Sequence, residues 1–375
     1  DPLAFAALSD AKIEKFDSET LKIHAKSTSN KTESYSNIFY IRIDTPENID
    51  AWQSLLEYIA ILSISDLFEF NSISDSKSED SSLGHARFST VKQAIRKGTG
   101  GSSYCALKII NRNEFARIVE EGNEKADTLY REASIQACLT CVANELKSTN
   151  DQPIVQLFSV FETSDHFVLE MELMSKNNLF SEITLSPEGK INETRAATII
   201  RRLLESVELC QSMGIAHRDI KLSNICFCLD QRDIKLADFG MSKLIDINGK
   251  LSGRCGTPGY VAPEIFVAGS NGQYSMKVDL YSVGVVAYTI LCGYEPFYGE
   301  TDAELLTENK SGIFDFEPED WCDISLEAQD LIECLMDPDP VTRINIKEAL
   351  AHPWLSLKSD IDDDLSLTST MSDEM

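Results

Sequence analysis

The stretch HRDIKLSNICFCLDQRDIKLADFG (217–240) decides how the chain is read. It opens on His-Arg-Asp, with Asn224 five residues after Asp219, and it closes on Asp-Phe-Gly. The bridge carries the marks of a hairpin: CFCL is apolar or small, LDQRD is polar, and IKLA alternates. Such a hairpin folds Asp219 and Asn224 back towards Asp238. Phosphoryl transfer needs a set of this kind. One carboxylate orients and deprotonates a hydroxyl, while an Asn and a second carboxylate hold a cation against phosphates.

The sequence around it supplies more of the set. LGHARFSTV (83–91) carries Gly84, followed by Ala86 and Ser89 at the next two glycine positions of a phosphate-covering loop. Glycine lets backbone N–H groups come close to phosphates. RKGTGG (96–101) is a hairpin tip, and YCALKII (104–110) reads as a strand that carries Lys108. EKADTLYREASIQACLT (124–140) is helical in pattern and carries Glu132, the expected partner of Lys108; Glu124 is the weaker choice. CVANELKSTNDQ (141–152) is expected to be a surface loop. PIVQLFSVFET and HFVLEMEL (153–173) read as two strands, and NETRAATIIRRLLESVELCQSMGI (192–215) as a long amphipathic helix.

In this pattern the chain resembles the eukaryotic Ser/Thr protein kinases. CALK (105–108), HRDIKLSN (217–224), DFG (238–240) and GTPGYVAPE (256–264) carry the resemblance. CGYEPFY (292–298) and DPVTRINIKEALAHPWL (339–355) bring it nearest to the calcium/calmodulin-dependent group. It implies an α+β fold with two lobes, a small β-rich one over 83–173 and a mainly helical one over 174–355. It implies ATP and Mg²⁺ as cofactors and protein substrates as partners, with an upstream kinase as a candidate partner.

The resemblance also assigns roles. Asp219 is the base or hydroxyl orienter, Lys221 neutralises the phosphate in transit, and Thr257 bonds near both. Lys108, positioned by Glu132, holds the α and β phosphates. Asn224 and Asp238 bind the metal. Leu83, Gly84, Val91, Ala106 and Cys226 enclose the nucleotide, with Met171 as gatekeeper and the backbone of Glu172 and Met174 at the adenine edge. For the apolar members the plainer alternative is core packing. Asp279 is expected to hold the HRD backbone, Gly284 to permit close helix packing, and Glu264 to pair with Arg343. Arg218 is expected to meet a phosphate on the activation segment. The usual phosphosite position there is Gly253, with Ser252 beside it as the substitute.

Two positions limit what can be said of the substrate. Asn178 stands where many relatives place a Glu that selects Arg, and Ser223 stands where another acidic helper would be. The substrate motif therefore stays open.

Residues 1–65 precede this block. KIEKF (12–16), LKIHA (21–25) and IFYIRI (38–43) read as strands, and 45–62 as an amphipathic helix with Pro46 in its first turn. Three strands closed by a helix with a Trp resemble the C-terminal half of a pleckstrin-homology domain. The Lys/Arg-rich hairpin that would bind phosphoinositide has no counterpart, so lipid binding is not expected. Residues 66–82 read as an acidic, Ser-rich linker and 356–375 as an acidic disordered tail. The tail is not a basic amphipathic helix, so direct calmodulin binding is not expected.

Composition agrees with an acidic cytoplasmic enzyme. The 375 residues carry a formal charge of −27, which argues against nucleic acid as a partner. The ten cysteines lack paired zinc spacing. Three other readings compete with this one. A pseudokinase acting as a scaffold rests only on the thinned glycine loop, since Lys108, Asp219, Asn224 and Asp238 are intact. A small-molecule kinase is disfavoured by Lys221 and GTPGYVAPE. A lipid-directed adaptor is disfavoured by the missing strands.

Overall fold

The computed structural model describes residues 12–18, 20–26, 35–42, 49–51, 53–54, 63–70, 82–86, 88–97, 103–146, 152–268 and 272–356. The chain divides into two units, Asp1–Ala137 with Gln156–Leu173, and Cys138–Val155 with Met174–Met375.

The first unit holds two antiparallel sheets. In the smaller, β1 (Lys12–Lys15), β2 (Thr20–Lys26) and β3 (Tyr35–Arg42) lie in that order. Ile13 faces Ile23 across the β1–β2 ladder. Alternation puts Ile13, Leu21 and Ile23 in the interior and leaves Glu14 to pair with Lys12 and Lys22 at 3.5 and 3.6 Å. Residues 49–51 and 53–54 are helical; Ile49 is buried and Gln53 Nε2 donates to the Ile13 carbonyl at 3.4 Å. The rest of the helix expected over 45–62 lies outside the described residues, as do 71–81 of the linker and 357–375 of the tail.

The larger sheet runs β4 (Phe68–Glu69), β6 (Ser89–Arg96), β7 (Ser103–Asn111), β9 (His166–Met171), β8 (Leu157–Glu162), with β5 (Ser82–Ala86) also on β6. Period two sorts the side chains of β7. Cys105 and Leu107 join Phe68, Ala94 and Val168 on one face. Ile110 joins Phe115, Leu129, Ala133, Phe167 and Leu169 on the other. Two helices cover that second face, α2 (Arg112–Glu120) and the first half of α3 (Thr128–Leu146). Asn111 caps α2 by accepting from the Glu114 N–H at 3.0 Å.

Two expectations are corrected here. The acidic linker does not begin at 66, because a one-turn helix α1 (Ile64–Leu67) leads into β4. Phe68 is 3% exposed and stacks on Phe161 at 5.6 Å, and burial of that ring outweighs the polar neighbours. The loop expected over 141–152 is helical to Leu146. Buried Ala143 continues the inner face, and its carbonyl accepts from Gln152 Nε2 at 2.7 Å.

The second unit is mainly helical. Its axis is α7 (Val278–Cys292; helix numbers here follow the full chain order, α4 Leu179–Leu185, α5 Glu193–Ser212, α6 Pro263–Ala268), buried from Val278 to Leu291. It packs on α5 and on the later helix Leu326–Leu335. Gly284 is where the latter comes closest: a Cβ there would stand 2.5 Å from Met336 Cγ and 2.9 Å from Leu335 Cβ. The hairpin read in the bridge forms from β11 (Ile225–Phe227) and β12 (Ile234–Leu236), with Ile225 opposite Leu236. Strands β10 (Ile215–Ala216) with β13 (Lys243–Leu244), and β14 (Leu251–Ser252) with β15 (Gln273–Tyr274), complete it. No helix among the described residues is long and apolar enough to cross a membrane.

Candidate active site

In the first unit the strand register gathers the sequence-predicted residues onto one face of the sheet. Gly84 is opposite Val91, Val91 opposite Lys108, and Ala106 opposite Met171. Residues two apart share a face, so Gly84, Val91, Ala106, Lys108 and Met171 all belong to it. Leu83 precedes Gly84 on β5 and is half-buried. A Cβ built on Gly84 would meet no protein atom within 4 Å, so the chain's own packing does not require glycine there.

Lys108 is 8% exposed and Glu132 2%, and Lys108 Nζ donates to Glu132 Oε1 at 2.5 Å. A lysine inside a central strand pays for dehydration unless an anion meets it. Position 132 lies on the first turns of α3, one turn beyond Leu129 and beside Ala133, which pack onto the same face. Glu124 is instead bonded to the Thr128 hydroxyl at 3.2 Å. Glu172 follows Met171, and its N–H donates to the Gln156 carbonyl at 2.9 Å.

In the second unit the catalytic stretch is pinned from below. Asp279, at the start of α7, accepts from the N–H groups of His217 and Arg218, both at 2.8 Å. It is fully buried, and that burial raises its carboxyl above the usual range while His217 and the two N–H groups act against the rise. Arg218 and Asp238 both have left-handed backbones, φ 67° and 63°, conformations that cost energy in residues with side chains. The surrounding bonds hold them: Ala237 N–H donates to the Asn224 carbonyl at 2.9 Å, and His217 Nε2 lies 3.1 Å from the Ala237 carbonyl.

Around Asp219 the side chains form one connected set. Thr257 Oγ1 donates to Asp219 Oδ1 at 2.6 Å, and Lys221 Nζ donates to Thr257 Oγ1 at 2.9 Å. Lys221 Nζ is also 2.9 Å from Asp219 Oδ2. Asn224 Nδ2 donates to the Asp219 carbonyl at 2.8 Å and to Oδ2 at 3.1 Å. Asp219 is 7% exposed, so these partners fix its orientation. Further out, Arg343 grips Glu264 with two bonds of 2.7 and 2.9 Å while 1% exposed itself. Met174 is buried, and Cys226 sits half-buried on β11, its thiol pushed up to about 11 by burial.

Both ends of the Asn178 amide are used locally. Oδ1 caps α4 by accepting from the Ser181 N–H at 2.9 Å, and Nδ2 donates to the Ser223 carbonyl at 3.3 Å. One group escaped sequence reasoning. Tyr274 Oη accepts from Arg218 Nη1 at 3.0 Å and donates to the Gly253 carbonyl at 2.8 Å. Nothing in QYSMKV marks it, because its partners lie 21 and 56 residues upstream.

A β-rich unit with a buried Lys–Glu pair and a helical unit with this Asp–Lys–Thr set define a Ser/Thr protein kinase. The chain belongs to the protein kinase family, and residues 78–355 match its protein kinase domain. It is similar to calcium/calmodulin-dependent protein kinase type 1 of Macrobrachium nipponense, 37% identical over 276 residues, 73% of this chain and 73% of that protein. The kinases of the same description from Caenorhabditis elegans and Caenorhabditis briggsae are each 36% identical over 276 residues, 73% of this chain and 72% and 71% of theirs.

Proposed function

We propose that the chain transfers the γ-phosphate of ATP, with Mg²⁺, to Ser and Thr hydroxyls of protein substrates in a signalling role. The observation that carries this is the connected Asp219–Lys221–Thr257 set. Asp219 orients the acceptor hydroxyl and takes its proton as the oxygen attacks. Lys221 sets a positive charge beside the same carboxylate, where negative charge passes in the transition state. Lys108, aligned by Glu132, grips the α and β phosphates. In the first unit Leu83, Gly84, Val91, Ala106 and Met171 face the nucleotide, with the carbonyl of Glu172 at the adenine edge; Met174 and Cys226 of the second unit are assigned to it by the family resemblance alone.

Asn224 and Asp238 fit Mg²⁺. Their oxygens are hard donors, and the Asn224 amide nitrogen is already used on Asp219, which turns Oδ1 to a cation. No group of three His, Cys, Asp or Glu able to hold a metal occurs among the described residues. When bound, Mg²⁺ neutralises charge on the phosphates.

The domain limits we propose are a kinase domain over 83–355 with lobes at 83–173 and 174–355, after a pleckstrin-homology-like module in 1–65. The names of the relatives carry calcium and calmodulin. We propose that residues 356–375, SLKSDIDDDLSLTSTMSDEM, do not themselves bind calmodulin, because they are acidic where a calmodulin-binding helix is basic.

The test is transfer from labelled ATP with Mg²⁺ to a degenerate Ser/Thr peptide library, beside Asp238→Ala. The expected outcome is Mg²⁺-dependent label on peptides from wild type and a loss of about 10²-fold or more in the variant. Equal labelling by both proteins contradicts the proposal.

A further inference from the structure

The segment from Met241 to Thr257 ends on the residue that bonds Asp219, so whatever orders it also places Thr257. Three contacts order it, all made by groups of this chain. Arg218 Nε donates to the Met241 carbonyl at 2.9 Å, and Nη1 donates to the Ser252 carbonyl at 3.3 Å and to Tyr274 Oη at 3.0 Å. Lys243 Nζ donates to the Ser252 carbonyl and hydroxyl, both at 3.1 Å. Tyr274 Oη passes the chain of bonds on to the Gly253 carbonyl at 2.8 Å.

The backbone is shaped for this. Leu251 and Ser252 pair with Tyr274 and Gln273 as a two-stranded ladder, and Leu251 and Tyr274 are buried. Gly253 has φ +95°, a conformation L side chains rarely adopt, and it turns its carbonyl onto the tyrosine. Three residues on, Gly256 has φ +110°, and a Cβ there would stand 3.0 Å from the Arg218 carbonyl. The segment is thus bonded to Arg218 at Met241 and at Ser252, and Gly256 lies close against the Arg218 carbonyl immediately before Thr257. Burial pushes the Tyr274 phenol up to about 12, so it keeps the proton it donates. Only two hydroxyl-bearing residues lie between Phe239 and Gly256, Ser242 and Ser252. Ser242 is buried, with Oγ donating to the His217 carbonyl at 3.3 Å.

We infer that Tyr274 is a positioning residue for phosphoryl transfer: by joining Arg218 to the Gly253 carbonyl it orders the segment through Thr257, so that transfer needs no prior phosphorylation there. This rests on the kinase reading above. An arginine that meets carbonyl and phenol oxygens at hydrogen-bond distance already has the contacts a phosphate would supply. Ser252 remains the place where an added anion would meet Lys243 and Arg218.

The experiment uses the full chain in two forms, phosphatase-treated and shown phosphate-free by intact mass, and made with phosphoserine at 252. Both are given labelled ATP, Mg²⁺ and the degenerate Ser/Thr peptide library. The expected kcat of the phosphate-free form is within about threefold of the phosphoserine form. Tyr274→Phe is expected to lose about tenfold or more in kcat, with KM for ATP changed less than about twofold. Adding S252D to that variant is expected to restore most of the loss, since a carboxylate there bridges Lys243 and Arg218; a merely structural phenol would not be rescued so. A phosphoserine form more than about threefold faster, an unaltered Tyr274→Phe, or no rescue by S252D overturns the inference. If Tyr274→Phe lacks native circular dichroism, the comparison of the two wild-type forms decides alone. Transfer by the phosphoserine form only leaves the kinase reading standing and sinks the inference; transfer by neither form sinks both.

Discussion

The chain carries two charge clusters with opposite designs. Lys108 and Glu132 lie in the β-rich unit with side chains 10% and 3% exposed, joined by one bond of 2.5 Å. Asp219, Lys221 and Thr257 lie in the helical unit, where the Lys221 side chain is 26% exposed and each group touches the other two. The first design is a dehydrated ion pair in which each charge has the other among its partners. The second has a buried carboxylate with several donors, so the loss of one leaves it solvated by the rest. The first cluster should therefore fail in stability as well as activity, and the second in activity alone.

The comparison is broken most sharply at Glu132. Glu132→Ala strips the buried ammonium of that carboxylate, and removing one partner of a buried pair costs about 3–5 kcal/mol. For a unit of this size each kcal/mol is about 2–4 °C in Tm. Calorimetry should show the first unit's transition lowered by about ten degrees, with transfer lost as well. An unchanged Tm would mean that the pair is not dehydrated as its burial indicates.

The next effect is at Thr257. Thr257→Val keeps the shape and removes both hydroxyl bonds, from Lys221 and to Asp219. We expect about a tenfold fall in kcat, equivalent to about 1.4 kcal/mol, at unchanged Tm. A Tm shift as large as that of Glu132→Ala would erase the distinction between the clusters. The smallest effect is at Asn178, whose amide caps α4 and reaches Ser223. Asn178→Ala should cost about 1 kcal/mol of stability and leave selection of arginine beside the target hydroxyl unchanged in a peptide array. A new preference there would show that the amide reads the substrate.

How much of this was legible follows from the range of each interaction. Lys108, Glu132, Asp219, Lys221, Asn224, Asp238, Thr257, Glu264 and Arg343 stand in short patterns that carry the family resemblance, and the structure brings Lys108 to Glu132 and Arg343 to Glu264. The strands of the first sheet were legible from alternation alone, as in KIEK (12–15). Phe68 was not, because two residues make no period and its partners Arg96 and Phe161 are remote in sequence. The helix Arg112–Glu120 has its apolar stripe in Phe115, Ile118 and Val119, but its 9 residues are too short a run for the helical period to stand out. The extension of α3 to Leu146 was hidden by polar residues that face solvent. Tyr274 was invisible for the reason that makes it useful: its hydroxyl joins Arg218 to Gly253, and no local pattern records a bond across so many residues.

Asp219 is proposed to orient the acceptor hydroxyl. That role is tested most directly by rapid-quench single-turnover transfer from labelled ATP and Mg²⁺ to the degenerate Ser/Thr peptide library, comparing wild type with Asp219→Asn. The amide keeps the shape, and its single oxygen can still accept from Thr257, but its NH₂ end cannot accept from Asn224 or Lys221 and the group cannot take the proton. We predict an ATP affinity changed less than about twofold and a transfer step slower by about 10²–10⁴-fold. A variant that transfers as fast as wild type, or a wild type that binds ATP and transfers nothing, would contradict the account.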